Sequence, residues 1–279
     1  MDFLTFAGRL CGGFLMVAGV LALSAVTRVA GEAPLGERPV DTDPANFVEG
    51  PFTLVAGRSQ IEWGALAYSR NRVGNFREEH QTVSALVLRT ALSNHLELQV
   101  FHDGHGVGKR SDQATGDRES AGGLGDTTLQ LKRNFLGNDR GAYALGATAF
   151  AVLNTGDPDM SAGRTIVGGS VVFAATVAEG RAGSLSAHSQ LRYEHMGSAD
   201  ILEVGQSLIG ARNLDEKNSL AVEVCAHRSN EAGAKWAVLS SLTFTHAFIE
   251  HLALDLAVTA GLNRDADDYG GFIILTRWF

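Results

Sequence analysis

Ser184 to Glu194 reads SLSAHSQLRYE. In an extended chain Leu185, Ala187, Leu191 and Tyr193 fall on one face, with His188, Gln190, Arg192 and Glu194 on the other. Strand side chains alternate with period 2, so this is a strand with one apolar and one polar face. The pattern recurs on both sides. Asn94–His102 (NHLELQVFH) sets Leu96, Leu98 and Val100 against Glu97, Gln99 and Phe101. Asn218–His227 sets Leu220, Val222, Val224 and Ala226 against Glu223, Cys225 and His227. His251–Leu262 sets Leu252, Leu254, Leu256 and Val258 against Asp255 and the small Ala253, Ala257 and Thr259.

Such strands suit a soluble sandwich or a membrane barrel with lipid outside and a polar lumen inside. Length separates the two. The alternating runs are about ten to thirteen residues, the size of a tilted spanning strand and longer than the usual soluble strand. The expectation is an all-β chain folded as a transmembrane antiparallel up-and-down β-barrel of about twelve strands. These are placed at 58–70, 80–91, 94–103, 124–135, 141–153, 165–177, 184–195, 200–212, 218–228, 234–245, 251–262 and 270–279. The connections alternate in character. Tight ones are expected at Leu92-Ser93, Gly137–Arg140, Ala178–Gly183, Asn213–Lys217 and His246–Glu250. Longer ones are expected at Asn71–Glu79, Gly104–Gly123 and Asn154–Arg164. Barrels have short periplasmic turns and longer outer loops, so the tight turns and the C-terminus share the periplasmic side.

The N-terminal part divides further. Arg9 precedes an apolar core, Phe14–Val26, which is short for a membrane helix and close to the start. Residues 1–33 therefore read as a signal peptide ending at Ala25 or Ala33, with a retained anchor helix as the alternative. Residues 34–57 are a periplasmic N-terminal extension or partial plug, and 58–279 the barrel. Four of the five prolines lie before Gly57, in a stretch with neither helical nor strand period. Cys11 goes with the signal peptide and leaves Cys225, so no internal disulfide is expected. A net charge of -8 argues against nucleic-acid binding. The expected location is the outer membrane of a Gram-negative cell.

Charges on a lipid-facing surface cost a few kcal/mol each, so charged strand residues should point inward. By parity the lumen-lining set is Glu62, Arg89, Glu97, Lys132, Arg192, Glu194, Glu203, Glu223, Lys235 and Asp255. It forms either a polar permeation path or ion pairs that fill a narrow lumen. Signs of catalysis are weak. His102-Asp103-Gly104-His105 lacks a third metal ligand at telling spacing. GHGVGK (Gly104–Lys109) lacks the phosphate-loop spacing and reads as a flexible loop. Ser186 and His188 share a face, as a barrel hydrolase would require, but that adjacency arises readily by chance. No enzyme activity, metal or cofactor is expected.

The closing segment GGFIILTRWF ends in Phe279, with Ile273 and Leu275 on the same face. It resembles the C-terminal signal read by the barrel-assembly machinery, although Arg277 stands where an apolar residue is more typical.

Further elements carry a family resemblance. DTDPANFVEGPFTLVAGRSQIEWG (Asp41–Gly64) holds Thr42-Asp43, Gly50-Pro51, Gly57, Gln60 and Glu62, without the usual Arg between Asp43 and Pro44. With Leu88–Val100, Gly122–Phe135 and the last hairpin, it resembles a family of outer-membrane channels catalogued under the MetA pathway of phenol degradation. The resemblance spans 41–279. It implies an outer-membrane barrel that takes up small solutes, often hydrophobic or aromatic. The alternatives are a structural or adhesive barrel and, more remotely, a barrel hydrolase; single-channel conductance separates them.

Overall fold

The computed structural model describes residues 47–138, 141–180 and 183–279. The signal-peptide reading of 1–33 and the first part of the 34–57 segment lie outside the described residues.

The strands are β1 (Ser59–Val73), β2 (Phe76–Ser93), β3 (Leu96–His102), β4 (His105–Asp112), β5 (Arg118–Leu124), β6 (Thr127–Leu136) and β7 (Tyr143–Leu153). They continue as β8 (Ile166–Gly180), β9 (Gly183–His195), β10 (Asp200–Asn213), β11 (Asn218–Ser229), β12 (Ala237–Ile249), β13 (Leu252–Gly261) and β14 (Tyr269–Trp278). From β6 to β14 each strand pairs with the next, β14 pairs with β1, and β1, β2, β3 and β6 complete the circuit. The result is a closed antiparallel barrel of twelve strands with two extra strands, β4 and β5.

The extra strands have a local cause. β3 pairs the lower half of β2 and β4 pairs its upper half, from His105 opposite Val83 to Asp112 opposite Phe76. They are one long strand broken at Asp103-Gly104. A Cβ on Gly104 (φ +71°) would lie 2.4 Å from the Val83 carbonyl oxygen, so only glycine fits the break. Gly125-Asp126 breaks the returning strand between β5 and β6 at the same level, where Gly125 N–H donates to the Gly104 carbonyl at 2.8 Å. Above the break, β5 pairs on one side only, with β4. The Asp126 carboxylate accepts N–H bonds from Thr155 (3.0 Å), Gly156 (2.9 Å) and Ala162 (2.8 Å), which anchors the 154–165 loop beside the break.

Two sequence expectations are corrected here. Asn71–Glu79 is not a long loop, because β1 and β2 pair up to Val73 opposite Phe76 and turn over Gly74-Asn75. Most of Gly104–Gly123, including the GHGVGK stretch, is the β4–β5 hairpin, turning at 113–117. The connections 94–95, 214–217 and 250–251 at one end are all short, whereas the other end mixes the short 74–75 and 196–199 with the longer 154–165, 230–236 and 262–268.

The two faces of the wall decide its solvent. Leu88, Leu98, Leu131, Val171, Leu191, Leu208, Val222, Leu242, Leu256 and Ile273 are all 37–50% exposed on the outside. Their strand neighbours Arg89, Glu97, Lys132, Gln190, Glu223 and Asp255 are buried inside. A continuous apolar exterior around a polar interior inverts a soluble fold and matches a bilayer-spanning barrel. Aromatic rings edge the exterior: Phe135, Tyr143 (stacked on Phe173 at 5.9 Å), Phe248 and Phe279 near the short-turn end, and Tyr68, Tyr193 and Tyr269 near the other.

Candidate lumen site and its inner strap

The inward parity of β1, β2, β3 and β6 collects one polar network. Arg89 Nε donates to Glu97 Oε1 at 2.6 Å, and Arg89 Nη1 lies 3.5 Å from Glu62 Oε1. Gln60 donates to Glu62. Gln99 Nε2 donates to Glu97 Oε1 at 2.6 Å, and Gln130 Nε2 to Gln99 Oε1 at 2.8 Å. Arg89, Glu62 and Glu97 are at most 3% exposed. Charges buried this deeply persist only when paired and hydrogen-bonded.

Residues 47–56 enter this lumen as a strap. At its lower end Ala56 N–H donates to Asn94 Oδ1 (3.0 Å), Leu54 N–H to Glu97 Oε2 (2.7 Å) and Thr53 N–H to Asn138 Oδ1 (2.9 Å). Asn134 Nδ2 donates to the Pro51 carbonyl at 2.9 Å. The Glu49 carboxylate accepts from Gln130 Nε2 (2.7 Å) and Ser170 Oγ (3.4 Å), with Lys132 Nζ 3.7 Å away. Phe47 N–H donates to Glu223 Oε2 at 3.2 Å, and Ser207 Oγ donates to Glu223 Oε1 at 2.5 Å. The strap thus crosses from the β2–β3 turn to β11. Its backbone runs so close to β7 that a Cβ on Gly146 would lie 2.7 Å from the Pro51 oxygen.

Beyond Glu49 the partners turn apolar. Val48 is 0% exposed, packed with Val172, Cys225, Ala237, Leu239 and Ala266. Phe47 joins that cluster to a second one of Ala257, Phe272 and Ile274. The wall at β1, β2, β3 and β6 is therefore a charged network, the wall around Val48 and Phe47 sets apolar side chains among the separate carboxylates of Glu223 and Asp255, and the strap bridges the two.

The structure places most of the parity set inside. Glu62, Arg89, Glu97, Lys132, Glu194, Glu223 and Asp255 are buried, and Asp255 Oδ1 accepts from Thr245 Oγ1 at 2.5 Å. Arg192 pairs with Glu194 at 2.8 Å and lies 4.3 Å from the Phe150 ring. Glu203 sits nearer the outer rim, 3.6 Å from His227. Lys235 is a correction. It precedes β12 in the 230–236 connection, is 74% exposed and pairs with Asp265 at 3.8 Å, so it does not line the lumen. The alternation extrapolated through it stops at Ala237, where pairing with β11 begins.

The lumen also holds uncharged members that a reading by charge misses, Gln60, Gln99, Gln130 and Asn134, and the same period 2 is the signal that finds them. Glu49 and its neighbours had no periodic signal at all. Phe279 continues β14, exchanging backbone hydrogen bonds with Ser59, and its ring lies 5.1 Å from the Arg277 guanidinium. His188 is buried in the wall, His102 Nδ1 meets Thr127 Oγ1 at 3.3 Å, and His105 is exposed. Among the described residues no three His, Cys, Asp or Glu side chains gather as a metal site.

The fold recurs in solved structures. An outer-membrane channel from Pseudomonas putida F1 superposes with TM-score 0.58 at 17% identity, covering 85% of this chain and 99% of that one. The β-domain of the Bordetella autotransporter BrkA gives TM-score 0.56 at 9% identity, covering 80% of this chain and 100% of that one. The translocator domain of the autotransporter NalP from Neisseria meningitidis gives 0.51 at 12% identity, covering 81% and 90%. A search of the curated proteins finds no match. The family model described as "Putative MetA-pathway of phenol degradation" matches residues 42–223, from before the strap to Glu223 in β11, and the chain belongs to that family.

Proposed function

We propose that this protein is an outer-membrane channel for small solutes, with residues 47–56 acting as a plug that must shift for passage. The observation that carries the reading is the strap itself. It is held on wall side chains by separate polar contacts and by the packing of Val48 and Phe47, not as a paired strand of the sheet, so it can leave while the barrel stays closed. The charged network and the apolar clusters of the lumen suit a solute with one apolar and one polar side, in line with the hydrophobic or aromatic compounds implied by the family resemblance. The fold it shares with an outer-membrane channel at 17% identity supports the location. The reading is not enzymatic.

The test is conductance in planar bilayers. Deleting residues 47–55, and so retaining Arg58 and β1, should raise unitary conductance well above the intact protein's. Equal conductance of the two proteins, both correctly folded, would overturn the plug. Absence of conductance in either would favour a structural barrel.

A further inference from the structure

The β1–β2–β4–β5 extension carries a charge pattern that the lumen does not explain. Ile273 and Tyr269 share the outward face of β14. Register carries that face across the neighbouring strands. Tyr269 lies opposite Arg70, Arg70 opposite Glu79, and Glu79 opposite Lys109. One rung higher, Arg72 lies opposite Arg77, Arg77 opposite Ser111, and Ser111 opposite Arg118. The outward face of two adjacent rungs therefore holds Arg70, Lys109, Arg72, Arg77 and Arg118 against a single acid, Glu79. That acid is engaged by Arg77 and by the Tyr68 hydroxyl at 3.0 Å. Arg72, Lys109 and Arg118 are exposed. On a chain of net charge -8 this concentration of cations stands alone among the described strands. Elsewhere on the outer rim, Asp200 pairs with His195 at 2.8 Å, and Arg228 is a single outward cation on β11.

Height decides what the patch meets. The rungs below are Tyr68, Gln81, Val107 and Gly122, then Leu66, Val83, His105 and Leu124. Arg70 and Arg72 stand nine and eleven residues above Ile61, the lowest outward apolar residue of β1. At about 3.3 Å per residue and a tilt of about 40°, that is roughly 23 and 28 Å. The apolar band of such barrels is about 25 Å tall. The cations therefore sit at its upper edge, facing away from the lumen, where they cannot steer a solute into the mouth.

We infer that this face binds the phosphate groups of the phosphorylated glycolipid in the outer leaflet. The inference rests on the outer-membrane placement, but not on the lumen being a channel. Guanidinium groups match phosphate oxygens bidentately, and two rungs spaced as strand neighbours present several such groups in one plane. Tyr68 and Tyr269 lie at the level where acyl chain gives way to headgroup.

The test titrates the full chain in detergent with purified lipopolysaccharide and follows the midpoint of its heat-modifiable gel shift. Lipopolysaccharide should raise the midpoint in a salt-sensitive way. The triple variant Arg72→Gln/Lys109→Gln/Arg118→Gln should need at least tenfold more of it, while Arg228→Gln should match wild type. If the triple variant does not fold, each single variant should still weaken the effect by about two- to fourfold. Three results would overturn the inference: an unchanged triple variant, an equal effect from dephosphorylated lipopolysaccharide, or an equal effect from phosphatidylglycerol. The readout is independent of conductance, so it fails or holds separately from the channel reading.

Discussion

Gly146→Val should open the lumen without weakening the barrel. Gly146 faces the strap from β7, between Asn134 and Val172, and its Cβ position lies 2.7 Å from the Pro51 oxygen and 2.9 Å from the Pro51 Cα. The wall tolerates valine, since β-branched residues favour strands. The strap backbone has to move. Its displacement breaks the Asn134–Pro51 hydrogen bond, worth about 1 kcal/mol, and loosens the Glu49 carboxylate from Gln130, Ser170 and Lys132. Hydrogen bonds to a charged group contribute roughly 1.5–3 kcal/mol. The seated strap thus loses about 2.5–4 kcal/mol of bias, a shift of roughly two to three decades in the seated-to-released ratio. The assay is single-channel recording with the gel-shift midpoint measured in parallel. The expected result is frequent or sustained openings at an unchanged midpoint. Wild-type conductance in a correctly folded Gly146→Val protein would refute the argument, because the strap would then either lie elsewhere or not obstruct passage.

Other outcomes follow from the same geometry. Val222→Lys, on the outward face of β11, should cost roughly 2–4 kcal/mol and depress membrane assembly, whereas Glu223→Gln on its inward neighbour should assemble normally and loosen Phe47. Equal assembly yields would mean that the register is wrong. Deleting Phe279 should lower the assembled fraction, since it removes both the terminal aromatic and its pairing with Ser59; an unchanged yield counts against an assembly signal. In the 214–217 turn, the Asn218 side chain and the Lys217 and Asn218 N–H groups hold the Asp215 carboxylate below its ordinary range. A lowered folded pKa stabilises above the unfolded value and is lost as pH falls through the folded one. Protection of the Lys217 and Asn218 amides, measured as the ratio of intrinsic to observed exchange, should therefore be lost in wild type as pH falls below the ordinary aspartate range and be missing already at neutral pH in Asp215→Ala.

The wall was legible because its rule is local. Leu98 out and Glu97 in, or Val222 out and Glu223 in, follow from period 2 and from the cost of a charge in lipid. Glycine breaks hid the upper story: Gly104 and Gly125 mark a loop by composition, yet here they interrupt a strand that resumes. Lys235 fell in the set because alternation was carried past a strand start that only pairing defines. The strap was opaque for a different reason. Pro51, Thr53 and Leu54 lack period, and their places are set by Asn134, Asn138 and Glu97, residues 43 to 85 positions away.

The most direct measurement uses a native thiol of the wall. Cys225 is buried on the inner face and clusters with Val48 of the strap. A Val48→Cys/Cys11→Ser protein, folded and then mildly oxidised, should form a disulfide between the thiol introduced at position 48 and Cys225, and the same bond should not form in denaturant. Openings should fall to baseline when it forms and return on reduction. Oxidation of the folded protein that leaves both thiols free, or a cross-linked protein that conducts like the reduced one, would contradict a strap seated in the lumen as the plug of this barrel.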